Sequence, residues 1–176
     1  VAANEFTVTV NAPTNGTITP GTQVVAYGAT PSFTIAPNAG YSIATVTLNG
    51  ANVTFTTDAA GVAVVTLPAV TANVTLAATM SQNTYNIVAT AGTNGSITPA
   101  GTTSVNYGDN RTYTISANAG YSIENVVVDG ISMGAISSFT FTNVMENHTI
   151  AASFVISNCA APSHTYITTP DETTVT

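Results

Sequence analysis

Apolar and polar side chains alternate along most of this chain. Phe6, Val8 and Val10 share one side of a segment, and Phe33 with Ile35, Tyr113 with Ile115, and Phe139 with Phe141 repeat the spacing. A period of two places successive side chains on opposite faces of an extended strand, one buried and one wetted. Val and Thr fill many of the remaining positions, and branching at Cβ favours the pleated conformation. No segment carries a helical period. Asn15-Gly16, Asn49-Gly50, Asn94-Gly95 and Asp129-Gly130 sit between alternating runs and predict type I′ hairpin turns, whose central residues need positive φ. The alternation slips at two places. Tyr41 and Ile43 are followed by Val46 and Leu48, and Tyr121 and Ile123 by Val126 and Val128. A three-residue step predicts a bulge at Ala44-Thr45 and at Glu124-Asn125.

The two slips belong to a repeat. Residues 6–50 align with residues 85–130 after one gap at Ala100, and about half of the aligned positions are identical. Thr14-Asn15-Gly16-Thr17-Ile18-Thr19-Pro20 matches Thr93-Asn94-Gly95-Ser96-Ile97-Thr98-Pro99. Tyr27-Gly28 matches Tyr107-Gly108, and Asn38-Ala39-Gly40-Tyr41-Ser42-Ile43 matches Asn118-Ala119-Gly120-Tyr121-Ser122-Ile123. The expected organisation is a first domain over 1–80, a linker over 81–83, a second domain over 84–156 and an extended tail over 157–176. The fold class is all-β: two tandem small β-sandwich-like domains, each of six to eight short strands. Phe6, Val8, Phe33, Ile35, Tyr41 and Leu48 should line the first core. Tyr85, Ile87, Tyr113, Ile115, Phe139, Phe141, Ile150 and Phe154 should line the second. The first copy carries a longer loop around Asp58 to Gly61.

Charge narrows the function classes. Of 176 residues 44% are hydrophobic and only 5% charged, with a net charge of −7. Arg111 is the single basic residue besides the histidines, so the surface cannot neutralise a row of phosphates, and nucleic acid is excluded as a partner. Apolar runs such as Val62-Ala63-Val64-Val65 fall far short of the roughly 20 residues of a spanning helix, so no membrane span is expected. The start, Val1-Ala2-Ala3-Asn4-Glu5, has none of the regions of a signal peptide, as expected of an extracellular or cell-surface chain after signal-peptide removal.

Candidate chemistry is sparse. His148 lies on the alternating set with Ile150, Ala152 and Phe154, where the first copy has Val74, and reads as a strand residue. Cys159 and His164 could form a thiol–imidazole pair, but they lie in a Pro-, Ser- and Thr-rich tail without a scaffold. No catalytic residue and no metal-ligand set is expected, and the chain is read as non-enzymatic. Calcium is the one candidate cofactor, at Asp109-Asn110 or Asp129, because it needs only oxygen ligands. Lone Cys159 is either a buried thiol or a candidate intermolecular disulfide. Asn15, Asn52, Asn73, Asn94, Asn110 and Asn147 begin candidate glycosylation sequons. Tyr27, Tyr41, Tyr107 and Tyr121 recur beside glycines, which suits packing over bare backbone better than a sugar-stacking platform. Without lysine, no lysine-based isopeptide crosslink can form.

The order of motifs, with Asn-Gly-x-Ile-x-Pro, Tyr-Gly, Asn-Ala-Gly-Tyr-x-Ile, Val-x-Val-Asp-Gly, Phe-Thr-Phe-x-Asn-Val and His-Thr-Ile-x-Ala-x-Phe, resembles the bacterial surface repeats of the divergent internalin-type B-repeat family. Residues 84–155 match well, and residues 5–80 match with a divergent second half. The resemblance implies small all-β spacers or binding modules in secreted and surface-anchored proteins, with no catalytic motif.

Two functions are expected from different classes. The first is a structural protein, a subunit of a self-assembling, pilus-like extracellular fibre that forms a homopolymer by strand complementation. Sheet edges here have almost no charge to guard them, and each copy is short for a self-sufficient core. The connecting strand would be the tail, through Tyr166, Ile167 and Val175, or the N-terminal strand, through Phe6, Val8 and Val10. The alternative is an adhesin stalk or binding module presenting loops to a glycan or host protein.

Overall fold

The computed structural model describes residues 4–157, and there the alternating segments become sixteen strands with no helix. The first copy supplies β1 (Glu5–Asn11), β2 (Gly16–Thr19), β3 (Gln23–Ala26), β4 (Ser32–Pro37), β5 (Tyr41–Leu48), β6 (Ala51–Asn52), β7 (Ala63–Thr66) and β8 (Val74–Gln82). The second supplies β9 (Thr84–Ala91), β10 (Gly95–Thr98), β11 (Gly101–Asn106), β12 (Arg111–Ala117), β13 (Tyr121–Val128), β14 (Ile131–Gly134), β15 (Ser138–Phe141) and β16 (His148–Ile156).

Each copy is a sandwich of a five-stranded and a three-stranded sheet. The orders are β3-β1-β8-β5-β6 with β2-β4-β7, and β11-β9-β16-β13-β14 with β10-β12-β15. Val8, Val46 and Leu76 from the larger sheet meet Phe33, Ile35 and Val65 from the smaller one in the first core. Ile87, Val126 and Ile150 meet Tyr113, Ile115 and Phe141 in the second.

The first and last strands of each copy pair in parallel, Val8 opposite Val74 and Ile87 opposite His148. A parallel pair needs a crossover between its strands, and here the crossover is the rest of the repeat. The start of this ladder is closed by an asparagine. Asn73 Oδ1 accepts the Thr7 N–H, and Asn147 Oδ1 accepts the Asn86 N–H, both at 2.8 Å.

Both predicted bulges are present. The register of β5 on β8 shifts between Ile43 and Thr45, and that of β13 on β16 between Ile123 and Asn125, so Ala44 and Glu124 are the extra residues. Asn49-Gly50 (φ 50° and 81°) and Asp129-Gly130 (φ 49° and 81°) turn the hairpins β5–β6 and β13–β14.

Three expectations are corrected. Asn15 and Asn94 do have positive φ, of 64° and 71°, but they are not hairpin turns. The chain leaves the larger sheet there and enters the smaller one. Gly16 and Gly95 are needed for a different reason: a Cβ would run into Met80 at the first and Phe154 at the second. Tyr41 is only half-buried at the start of β5 and stands outside the first core, whereas Phe6 and Leu48 pack against it. The linker is shorter than 81–83, because Ser81 and Gln82 pair with Ser42 and Tyr41, leaving Asn83 alone between β8 and β9.

Phe33 in β4 and Tyr113 in β12 occupy equivalent places, each with 0% exposure. The Tyr113 hydroxyl finds no hydrogen-bond partner among the described residues. A buried unpaired hydroxyl costs about 1–3 kcal/mol. Tyr113→Phe should therefore raise stability by about 1 kcal/mol in urea denaturation, and Phe33→Tyr should lower it. A loss of stability in Tyr113→Phe would mean that the hydroxyl is satisfied.

Candidate functional site

The most organised polar arrangement lies where the two copies meet. Asn83 is the joining residue, and both of its backbone groups are used. Its N–H donates to the Gly40 carbonyl at 2.8 Å, and its carbonyl accepts the Tyr107 N–H at 2.9 Å. Gln82 Nε2 donates to the Tyr107 carbonyl at 3.1 Å, and the Ser42 hydroxyl donates to Asn83 Oδ1. Gly40 has φ +79°, and the ring of Tyr107 fills the place a Cβ would take. That ring stands 6.4 Å from the ring of Tyr85. The Tyr-Gly motif of one copy thus closes on the Asn-Ala-Gly-Tyr turn of the other. Of the four repeated tyrosines, Tyr107 packs over glycine backbone here. They do not gather into one aromatic platform: Tyr27 pairs with Phe6, Tyr107 with Tyr85.

Asp129, His148 and Asp58 serve turns. Asp129 Oδ1 accepts the Thr149 N–H at 2.7 Å, and its Oδ2 lies 2.7 Å from His148 Nδ1. The His148 ring rests on Phe141 with centroids 4.8 Å apart. The first copy has the same clamp in neutral form, with Asn49 Oδ1 accepting the Thr75 N–H at 2.8 Å and Val74 in place of the histidine. Asp58 Oδ1 accepts the N–H groups of Ala60 and Val62, each at 2.9 Å, and ties the longer first-copy loop.

The two calcium candidates are each engaged in local hydrogen bonds. Asp109 holds Asn106 Nδ2 at 3.2 Å, Asn110 Oδ1 accepts the Asn143 N–H at 2.8 Å, and Asp129 is engaged as above. Among the described residues no three of His, Cys, Asp and Glu come together. Of the sequon asparagines, Asn52, Asn73, Asn110 and Asn147 are exposed, while Asn15 and Asn94 are half-buried in their turns. Asn73, Asn110 and Asn147 engage only Oδ1 in these bonds, and Nδ2 is the atom that would carry a glycan.

The predicted assembly residues divide. Cys159, His164, Tyr166, Ile167 and Val175 lie outside the described residues. Phe6, Val8 and Val10 belong to β1, which is paired on both sides, by β3 and β8, within its own copy. Sequence reading missed the clamping role of Asn73 and Asn147, although their recurrence before the last strand of each copy was a usable signal.

Burial by itself would raise the Asp129 carboxyl, but the Thr149 N–H bond, the His148 hydrogen bond and the histidine charge outweigh it and hold the group below its ordinary value of 3.8. A depressed carboxyl stabilises the fold above that ordinary value, and the contribution disappears as pH falls through the lower folded value. Asp129→Asn keeps the backbone clamp, as Asn49 does, but removes this dependence. The stability gap between the native chain and Asp129→Asn, followed by thermal denaturation, should narrow as the pH drops below about 4. A gap that is unchanged into strong acid would contradict the lowered carboxyl.

No helix among the described residues is long and apolar enough to cross a membrane. A comparison with curated proteins finds no match. A family model, the divergent InlB B-repeat domain, matches twice in tandem, over residues 6–84 and 85–158. Those spans meet next to Asn83, and they coincide with the two sandwiches. The family points to a bacterial surface repeat domain. The chain belongs to the divergent InlB B-repeat domain family, as two tandem copies joined through a single residue.

Proposed function

We infer that the pair of repeats is a non-catalytic structural segment of a bacterial surface protein, a stalk that holds other parts at a set distance and direction. The parallel pairing of first and last strands carries this reading. Val8 lies opposite Val74, Asn4 is four residues before Val8, and Asn83 is nine beyond Val74. The chain therefore leaves each repeat roughly 40 Å further along the strand direction than it entered, at about 3.3 Å per residue. An antiparallel closing pair would bring it back to the end where it started. The junction then passes the direction on, because Asn83 is bonded through both backbone groups and Tyr107 is seated on Gly40.

The self-assembling filament is the second reading, and the sheet edges favour it. β3, β7 and β14 contain no charged residue, and Val24, Val64 and Ile131 stand exposed on them. Natural sheets usually guard such edges with charge. Strand exchange through the tail would add Tyr166, Ile167 and Val175 to one of these edges. Exchange through β1 would first require its removal from between β3 and β8.

Two measurements separate these readings. Tyr107→Ala should leave both repeats folded but release them from each other, so that both rotational correlation times in NMR relaxation fall from that of the native chain towards that of a single repeat. Correlation times unchanged in the variant would show that Tyr107 does not hold the junction. In sedimentation from nanomolar to tens of micromolar protein, the stalk reading expects a monomer throughout. Concentration-dependent growth that Ile131→Lys or Val64→Lys abolishes would favour the filament instead.

A further inference from the structure

The parallel pair does not close to the same point in the two copies. In the second, β9 holds β16 as far as Ala91 opposite Ala152, and the next residue, Gly92, donates its N–H to the Ala152 carbonyl at 2.8 Å. In the first, β1 holds β8 only as far as Asn11 opposite Ala77. Pro13 stands where the second copy has Gly92. Proline has no N–H, so the carbonyl of Ala78, the counterpart of Ala152, lacks the donor that Gly92 supplies. β5 meanwhile stays paired with β8 to Gln82 on the other side. β8 therefore runs straight on while β1 turns away from it.

A groove of about 340 Å³ opens where they part, with Asn11, Pro13, Thr14 and Asn15 on one wall and Ala78 and Met80 on the other. Elsewhere in the chain, Asn49, Asn73, Asn110 and Asn147 each spend Oδ1 on a backbone N–H. The side chains of Asn11, Thr14 and Asn15 make no hydrogen bond to any described residue. Two amides, a hydroxyl and a backbone acceptor thus face one groove beside the apolar surfaces of Pro13 and Met80.

We propose that this groove binds a neutral sugar, one unit of a glycan chain. The proposal goes beyond the stalk reading and does not depend on it. The volume falls at the small end of pockets that take small ligands. A sugar hydroxyl both donates and accepts, so one ring satisfies the Ala78 carbonyl, the two amides and the Thr14 hydroxyl together, and lays its C–H face on Pro13 and Met80. Among the described residues none that line the groove is charged. An acidic or phosphorylated ligand would therefore bring an uncompensated charge against the strands. A peptide added along β8 would take the Ala78 carbonyl through its backbone, but would leave the amides and the hydroxyl of the facing wall unused.

The test is an NMR titration of the isotope-labelled full chain with maltotriose, cellotriose and triacetylchitotriose. At least one should shift the side-chain amides of Asn11 and Asn15 and the backbone amide of Met80, with a Kd of about 1 mM. The side-chain amide of Asn94, the counterpart of Asn15, should stay in place. Pro13→Gly restores the N–H found in the second copy and should abolish the shifts while the Asn94 and Tyr107 signals remain those of the folded chain. Asn11→Ala, a change at an exposed side chain, should raise Kd about fivefold, the share of a single hydrogen bond.

The proposal is overturned if none of the three sugars gives a shift at about ten times that Kd. It is equally overturned if Asn94 shifts along with Asn15, or if either variant binds as tightly as the native chain. Shifts of Met80 produced by the peptide acetyl-Thr-Val-Thr-Val-amide, with none from the sugars, would overturn it and assign the groove to strand addition on β8.

Discussion

The parallel pairing of first and last strands organises each repeat. It brings together residues far apart in sequence, Val8 with Val74 and Ile87 with His148, in the middle of the larger sheet. Closing so long a loop has an entropic cost, though one that grows only slowly with length. The gain is a core in which Val8, Leu76, Ile87 and Ile150 are completely enclosed. Because the pair is central, the remaining strands are arranged around it: β3 and β5 flank it in one copy, β11 and β13 in the other. The terminal strands are thus the least free parts of their domains. This is why an edge-seeking role suits β1 poorly, in spite of its alternating sequence.

The same geometry accounts for an unusual surface. Charge is almost absent, and its work is done by amides and hydroxyls. Ser32 pairs with Thr66 at 2.7 Å and Thr112 with Thr140 at 2.8 Å, at equivalent places across two neighbouring strands. Asn15, Asn49, Asn94 and Asn143 take left-handed turns, and Asn73, Asn110 and Asn147 satisfy backbone N–H groups that the ladders leave over. Asparagine suits both tasks, since it tolerates positive φ and offers a short acceptor. A chain with many such asparagines before Thr-rich strands will contain sequons for structural reasons alone.

The alternation, the repeat and the two bulges were legible because each is a property of neighbouring residues. A three-residue step from Ile43 to Val46 can be accommodated in a half-buried strand only by an extra residue. What failed depended on distant partners. Asn15-Gly16 and Asn49-Gly50 look alike in sequence, but one connects two sheets and the other closes a hairpin. The first has its glycine where Met80 and the Ala36 carbonyl close in on the place of a Cβ. Tyr41 has the period of a core residue, but it stands at the end of its strand, where the larger sheet reaches past the smaller. The meeting of Tyr107 with Gly40 joins two motifs that were each visible. Their contact follows from the parallel closing pair, which sends the second copy out beside the turn of the first. Comparing the copies also tempers the Asp129–His148 pair: Asn49 and Val74 make the same turn without ionisable groups, so the pair belongs to the turn.

An uncharged sheet edge invites association, and on the stalk reading it must be resisted. Here the resistance lies in the shape of the edges. β6 has two residues, β2, β3, β7, β10, β14 and β15 have four each, and β11, the longest edge strand, has six. β14 is further deformed by a register shift on β13 between Val126 and Val127, while Asn125 Oδ1 takes the Gly134 N–H at 3.1 Å that a straight edge would leave bare. Short and irregular edges are a recognised alternative to charged ones. The long strands, β1, β5, β8, β9, β13 and β16, are each hydrogen-bonded on both sides. The joint between the copies, by contrast, is secured by a ring, a glycine and two backbone bonds.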